Sequence, residues 1–169
     1  MSLTNDLADT VITAARAAAT ELGVPMNVAL LDAGAHLKAF VRMDGALLGS
    51  LDIALGKAKT AALFGMPTEA VGEFCKPGGS SPGLELTNGG LVVFPGGVPI
   101  RDGAGALIGA VGVSGGAVDQ DRHGAEIAVA SARGQTRKRA TMTCRDSRRR
   151  DHRQACSNPL EDESHADFN

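Results

Sequence analysis

The chain has 169 residues, 43% of them hydrophobic, which is enough for one domain with an apolar core. Its net charge of −2 argues against a general attraction to nucleic acid or to anionic membranes, and its three widely spaced cysteines argue against a disulfide framework or a zinc site. Because the polar N-terminus is unlike a signal peptide and no apolar run reaches the length of a membrane span, we expect a cytoplasmic protein.

The first predicted element is an amphipathic helix over residues 4–22, where apolar residues recur at helical spacing. Thr4 or Ser2 can cap this helix, and Gly23 is suited to end it. The hydrophobic pattern then predicts further elements in chain order: strands over 28–31 and 36–43, helices over 51–65 and 68–75, a buried strand over 91–94, strands over 98–101 and 106–115, and a helix from 118. The helix over 51–65 has a face of small residues that lets it lie close to a sheet or to another helix, formed by Ala54, Ala58, Ala61 and Ala62.

Short turns join the neighbouring strands, so we expect an antiparallel sheet. The order of elements predicts an α/β (α+β) fold with a central sheet of about five strands and helices packed against it. Ser50 and Thr68 are predicted to cap the second and third helices. The segment 76–90 is rich in Gly, Pro and Ser but short, which favours a functional loop over a linker.

The C-terminal part of the chain differs in composition from the rest. Residues 1–130 contain 8 basic and 13 acidic side chains, whereas residues 131–169 contain 9 basic and 6 acidic ones, with eight arginines between Arg133 and Arg153. The tail has too few apolar residues to bury a core, so a disordered or partly helical appendage is expected. A basic arm for nucleic acid and a displaced reading frame are the two alternatives.

Three strings together resemble one family: VALLDAGAHLKAFVRMDGALLGSLDIALGKAKTAALFG at 28–65, NGGLVVFPGGVPIRD at 88–102 and GALIGAVGVSGGAVDQD at 105–121. They are similar to the GlcG/HbpS family, also called haem-degrading-domain or PduO C-terminal-like proteins. The resemblance covers about residues 4–130 and defines a predicted domain over 1–130. The tail over 131–169 departs from it, because family members normally end in an alanine-rich helix.

The resemblance implies a profilin-like arrangement of three layers, α/β/α, and a homo-oligomer with an even number of subunits, up to an octamer. Some members of the family bind haem or corrinoid-related cofactors. Others are encoded in catabolic operons and have little established chemistry. The resemblance therefore implies binding of a small ligand, with haem as the named candidate.

His36 occupies the histidine position of the family's DxGGHL pattern. A neutral imidazole there can ligate haem iron or transfer a proton near neutral pH, and Asp32 is a second candidate for proton transfer. The alternative is a histidine that only forms a hydrogen bond beside the turn.

Three charged residues are candidates for binding the ligand, and the two basic ones are suited to an anion. Arg42 offers a planar fork suited to a carboxylate, and Asp44 follows it in the RMDG string. Lys57 lies beside apolar neighbours on the second predicted helix, where it could contact an anion. The alternatives are a structural ion pair for Arg42 and a surface position for Lys57.

Glycine-rich turns are predicted to line the ligand site with backbone N–H groups, which can form a nest for an anion. The alternative is that these positions are only tight turns or cap residues. The residues concerned are Asn88, Gly89, Gly90, Pro95, Gly96, Gly97 and Ser114.

These residues favour a ligand-binding protein, and two other classes stay open. One is an isomerase, hydratase or hydrolase in which Arg42 and Lys57 hold a small carboxylate while His36 or Asp32 moves a proton. The other is a scaffold or sensor subunit without chemistry in its pocket.

Overall fold

Four helices and four strands make up residues 2–135, the part of the chain that the computed structural model describes. In chain order they are α1 (Asn5–Glu21), β1 (Asn27–Asp32), β2 (Leu37–Arg42), α2 (Ser50–Phe64), α3 (Thr68–Cys75), a 3-10 turn (Leu84–Leu86), β3 (Gly97–Arg101), β4 (Leu107–Ser114) and α4 (118–135).

The strands form one antiparallel sheet in the order β2-β1-β4-β3, and helices cover both of its faces. Side chains alternate along β1 as the pleat requires. Val28 and Leu30 pack into the core under α1 and α4, whereas Ala29 and Leu31 pack against α2. The expected three-layer fold with an antiparallel sheet is therefore confirmed.

A stripe of alanines lets α2 lie close to the sheet. Ala54, Ala58 and Ala61 are fully buried against β1 and β4. On the facing strand, a Cβ atom added to Gly112 would stand 2.5 Å from the backbone nitrogen of Ala58, closer than real Cβ atoms come. The contact between α2 and β4 thus depends on small residues on both sides, as the small-residue face of the predicted helix indicates.

The segment 91–94 was expected to be a buried strand and is not one, so the sheet has four strands instead of about five. Leu91 is buried as predicted, but the backbone of 91–94 forms hydrogen bonds with side chains instead of with a neighbouring strand. Thr60 Oγ1 on α2 accepts a hydrogen bond from Val92 N at 3.1 Å, and Thr68 Oγ1 on α3 donates one to Phe94 O at 2.8 Å.

The predicted helix caps are right in one case and wrong in two. Thr4 caps α1, with its hydroxyl accepting from Leu7 N at 3.4 Å. Ser50 is the first residue of α2, and Gly49 precedes it without a side-chain cap. Thr68 is the first residue of α3, after Pro67, and its hydroxyl binds the 94–97 segment instead.

The last helix begins at residue 118 as predicted and continues to residue 135, so the first five residues of the predicted tail are helical. Residues 136–169 lie outside the described part of the chain, and so does most of the predicted Arg-rich tail. The division into a domain over 1–130 and a tail over 131–169 stays a prediction.

Candidate ligand sites

The residues predicted to form one site lie in four places within the described chain. They are Asp32 and His36 in the turn between β1 and β2; Arg42 and Asp44 at the end of β2; Lys57, Pro95, Gly96, Gly97 and Ser114 where α2, the 95–97 segment and the end of β4 meet; and Asn88, Gly89 and Gly90 in a surface turn.

The β1–β2 turn is organised by the carboxylate of Asp32. Its Oδ1 accepts hydrogen bonds from Gly34 N at 2.8 Å and from His36 N at 3.0 Å. The bond from the His36 backbone contributes most to a pKa of Asp32 below its usual range. The same oxygen lies 3.4 Å from His36 Nδ1, while 82% of the His36 side chain is exposed. The turn therefore presents an open imidazole beside a fixed carboxylate.

A cavity of about 340 Å³ lies beside this turn, and we call it the hairpin cavity. Leu3, Leu107 and Ile108 give it an apolar wall, and Asp32 and Lys38 are the charged residues of its lining. Its volume is at the lower end of the range for small-molecule pockets.

Arg42 belongs to a row of polar residues across three strands. Asn27 of β1 pairs with Arg42 on one side and with Ser114 of β4 on the other, so the three side chains are on the face that α2 covers. Asn27 is fully buried, and its Nδ2 donates to Leu47 O at 3.0 Å. The exposed Asp44 follows β2. Asn27 is not recognisable as a site residue from the sequence, because its place in this row depends on strand register.

Lys57 is fully buried and has partners inside the protein. Its Nζ donates to Asp121 Oδ2 at 2.7 Å and to Val113 O at 2.9 Å, and it lies 4.7 Å from the centre of the Phe94 ring. Burial lowers the pKa of Lys57, and the carboxylate of Asp121 opposes that shift. A ligand anion could reach this ammonium only by entering the interior, so the role of Lys57 in binding stays a prediction.

The backbone N–H groups after β4 bind an anion, and that anion is Asp121. Its Oδ1 accepts from Gly115 N at 3.1 Å and from Gly116 N at 3.0 Å, while its other oxygen holds Lys57. The nest that the sequence predicts around Ser114 is thus occupied by a side chain from α4. The position of Asp121 at the start of a predicted helix was visible in the sequence, but its distant partner was not.

Gly96 and Gly97 allow the 94–97 segment to approach the ion pair. Gly96 has a φ of +117°, and a Cβ atom there would lie 2.7 Å from Lys57 Nζ. Thr68 Oγ1 accepts from Gly97 N at 3.1 Å, which fixes the segment to α3. In this structure the two glycines face protein atoms, and contact with a ligand stays a prediction for both.

The turn at 88–90 is exposed. Lys59 Nζ donates to Asn88 O at 2.6 Å, and Asn88, Gly89 and Gly90 all have positive φ values. The expected tight turn is therefore present. No residue of the first three groups is linked to it by a hydrogen bond or ion pair within residues 2–135.

A second cavity, of about 410 Å³, lies between α3 and the segment that contains Phe94 and Pro95. We call it the α3 cavity. Its polar lining includes Glu69, Glu73, Cys75, Lys76 and Glu85. Of the lining residues, only Pro95 was predicted from the sequence to belong to a site. The polar residues come together only when α3 packs on the 3-10 turn.

Over 2–135, no helix combines the length and apolar character required to cross a bilayer. The same part of the chain contains no group of three or more His, Cys, Asp or Glu side chains placed to hold a metal ion.

The fold is an antiparallel sheet between layers of helices, and the chain carries the three sequence strings at 28–65, 88–102 and 105–121. Together these features define a known class of protein. The family described as haem degrading protein HbpS-like matches residues 3–132. The chain belongs to this family, as the resemblance implies.

Individual relatives agree with this assignment. An uncharacterised 15.0 kDa protein from the dhaT–dhaS intergenic region of Citrobacter freundii is 44% identical over 117 residues, which are 69% of this chain and 82% of the relative. The Salmonella typhimurium corrinoid adenosyltransferase PduO is 39% identical over 115 residues, which are 67% of this chain but only 34% of that enzyme. The chain therefore spans about a third of PduO.

One similar protein of known structure is in complex with haem. The structure of the PduOC:haem complex is 35% identical, with a TM-score of 0.74, and the match covers 78% of this chain and 95% of that one. The ligand belongs to that protein, and the fold is shared.

Proposed function

We propose that this protein binds haem or a related tetrapyrrole at the turn between β1 and β2, with His36 as the ligand of the iron. The observation that supports this most is the exposed imidazole of His36, 82% open to solvent and 3.4 Å from the carboxylate of Asp32. Metal-binding histidines commonly donate their other ring N–H to such a carboxylate, which fixes the tautomer and orients the ring. Nδ1 faces Asp32, so Nε2 is the nitrogen left for the metal.

The hairpin cavity lies beside the turn, although His36 is not part of its lining, and we expect it to receive one edge of a tetrapyrrole. The half-buried Leu107 offers an apolar contact, and the exposed Lys38 ammonium can pair with a propionate. A cavity of about 340 Å³ is too small to enclose the whole macrocycle, so most of the ligand would remain on the surface. When bound, haem supplies an iron centre for redox chemistry or for binding a diatomic gas. The residues of this chain would ligate the iron and hold the edge of the ring.

A haemin titration of the full chain tests the proposal. We expect a saturable change in the Soret band for the wild type and loss of the ligated spectrum in His36→Ala. His123→Ala is a matched control, since His123 is an exposed histidine on α4. A double variant, His152→Ala/His165→Ala, controls for the histidines of the tail.

Three results would overturn the assignment. An unchanged spectrum in His36→Ala would remove His36 as the ligand of the iron. If haemin has no effect and a small carboxylate stabilises the folded protein, the enzyme hypothesis takes its place. Stabilisation by neither would favour a scaffold or sensor subunit.

We also propose that the protein forms an even-numbered homo-oligomer, up to an octamer. Leu37, Leu47 and Leu48 are 60%, 64% and 72% exposed, and β2 is an edge strand of the sheet. Apolar side chains beside an open strand edge favour association. Light scattering after size-exclusion chromatography should give an even number of subunits, and a monomer over the whole concentration range would contradict the proposal.

A further inference from the structure

The α3 cavity is separate from the hairpin cavity, and the two have no lining residue in common. One wall consists of polar side chains from α3 and the 3-10 turn, and the other consists of Val93, Phe94 and Pro95. At about 410 Å³ it falls within the volume range of small-molecule pockets. It therefore combines an apolar wall with charged groups in a space suited to a small organic molecule.

The charges of this lining are not balanced. Lys76 forms an ion pair with Glu73, and Arg122 Nε lies 3.7 Å from Glu69. Among the described residues, Glu85 is the carboxylate of the lining that has no ion pair. One oxygen each of Glu69 and Glu85 is also buried without a hydrogen-bond partner within residues 2–135.

A carboxylate partly removed from water is stabilised by a nearby cation. The neighbour of Glu85 in the cavity is the thiol of Cys75. Burial raises the pKa of this thiol, and the Glu85 carboxylate raises it further, so the thiol stays neutral at pH 7. Cys75 thus adds no charge, and the lining keeps a net negative charge.

The apolar wall limits the size and shape of a ligand. Phe94 lines this cavity and is 42% exposed, while its ring lies 4.7 Å from the buried Lys57 Nζ. Hydrogen bonds to Thr68 hold the segment, so Phe94 and Pro95 form a fixed surface. A compact apolar body can pack there while a charged group reaches Glu85.

We infer that the α3 cavity binds a small organic ammonium ion, with the ammonium group at Glu85 between α3 and the 3-10 turn and the apolar part against Val93, Phe94 and Pro95. This site is independent of the proposed haem site.

Isothermal titration of the full chain tests this with benzylammonium, neutral benzyl alcohol and anionic benzoate as probes. We expect benzylammonium to bind about tenfold or more tightly than benzyl alcohol, benzoate to bind weakest, and the preference to fall as salt is added. Glu85→Gln should bring the two affinities within about threefold of each other. Glu21→Gln, an exposed change at the end of α1, should leave the preference intact.

The rate at which Cys75 is alkylated locates the bound probe. Saturating benzylammonium should slow the reaction of Cys75 with iodoacetamide, measured on its own peptide by mass spectrometry, and benzoate should not. Three results would each overturn the inference: equal affinities for the amine and the alcohol, an unchanged preference in Glu85→Gln, or no saturable binding of benzylammonium. The comparison of probes on the wild type remains decisive even if Glu85→Gln fails to fold.

Discussion

Replacing Asp121 with asparagine should destabilise the protein strongly. The amide keeps an oxygen for Gly115 N and Gly116 N, but it leaves the ammonium of Lys57 buried without an anionic hydrogen-bond partner. Among the described residues, Lys57 then keeps only Val113 O, at 2.9 Å, as a hydrogen-bond acceptor. Since 0% of the Lys57 side chain and 4% of the Asp121 side chain are exposed, water cannot replace the carboxylate.

Removing one partner of a buried ion pair costs about 3–5 kcal/mol, a large share of the about 5–15 kcal/mol that stabilises a typical domain. We expect a loss in this range for Asp121→Asn. Adding Lys57→Met to Asp121→Asn should recover part of the loss, because the double variant contains no uncompensated charge. Lys76→Met is the matched control, since the ion pair between Lys76 and Glu73 is exposed and should contribute less than about 1 kcal/mol.

Urea unfolding followed by far-UV circular dichroism measures these differences, since the chain has no Trp or Tyr for fluorescence. The stabilising role of this buried ion pair is refuted if Asp121→Asn costs less than about 1 kcal/mol, the value of an exposed pair. It is also refuted if the losses of the two single variants simply add in the double variant.

Three further predictions concern packing, backbone strain and pH. Gly112→Ala should destabilise by about 1–3 kcal/mol, because its Cβ would stand 2.5 Å from a backbone nitrogen of α2, whereas Gly103→Ala, with open space around it, should have little effect. Ala35→Gly should stabilise by about 0.5 kcal/mol, because Ala35 has a φ of +61°, whereas Ala33→Gly in the same turn should destabilise. The pKa of Asp32, measured by NMR, should lie below the ordinary aspartate value of 3.8. The stability that this carboxylate contributes is then complete above pH 3.8 and is lost as the pH falls through the lower pKa of the folded state.

Each of these has an outcome that would contradict it. Equal midpoints of urea unfolding for Gly112→Ala and Gly103→Ala would mean that α2 moves away from the sheet at no cost in stability. A loss of stability in Ala35→Gly would mean that the turn is not strained. A titration midpoint of Asp32 at or above 3.8 would mean that the backbone N–H groups of the turn do not favour its charged form.

Local signals in the sequence predicted most elements of the fold. Thr4 was predicted as a cap because a capping hydroxyl needs only a backbone N–H three residues away. Ser50 and Thr68 have the same local signature, but tertiary structure decides their positions: α2 begins at Ser50 itself, and the hydroxyl of Thr68 binds the 94–97 segment. The apolar run at 91–94 correctly predicted that Leu91 is buried. It could not show that threonine side chains, instead of a strand, would bind the backbone.

The candidate site was predictable only where its residues are close in sequence. Asp32 and His36 lie in one turn, so their proximity follows from the hairpin. Lys57 and Asp121 are 64 residues apart, and only the packing of α2 and α4 at the end of β4 brings them together. The anion expected at the glycines after Ser114 was an external ligand, whereas the structure provides the carboxylate of Asp121.

The most direct test of the proposed function is the free energy of unfolding of the wild type and His36→Ala with and without haemin, with absorbance in the Soret region read in parallel. At a haemin concentration about 100 times the dissociation constant, a site present only in the folded protein adds about 2.7 kcal/mol to its stability. We predict this gain, together with a Soret shift, for the wild type and its loss in His36→Ala. Equal stability with and without haemin in the wild type, or the same gain in both proteins, would contradict the proposal that His36 binds haem.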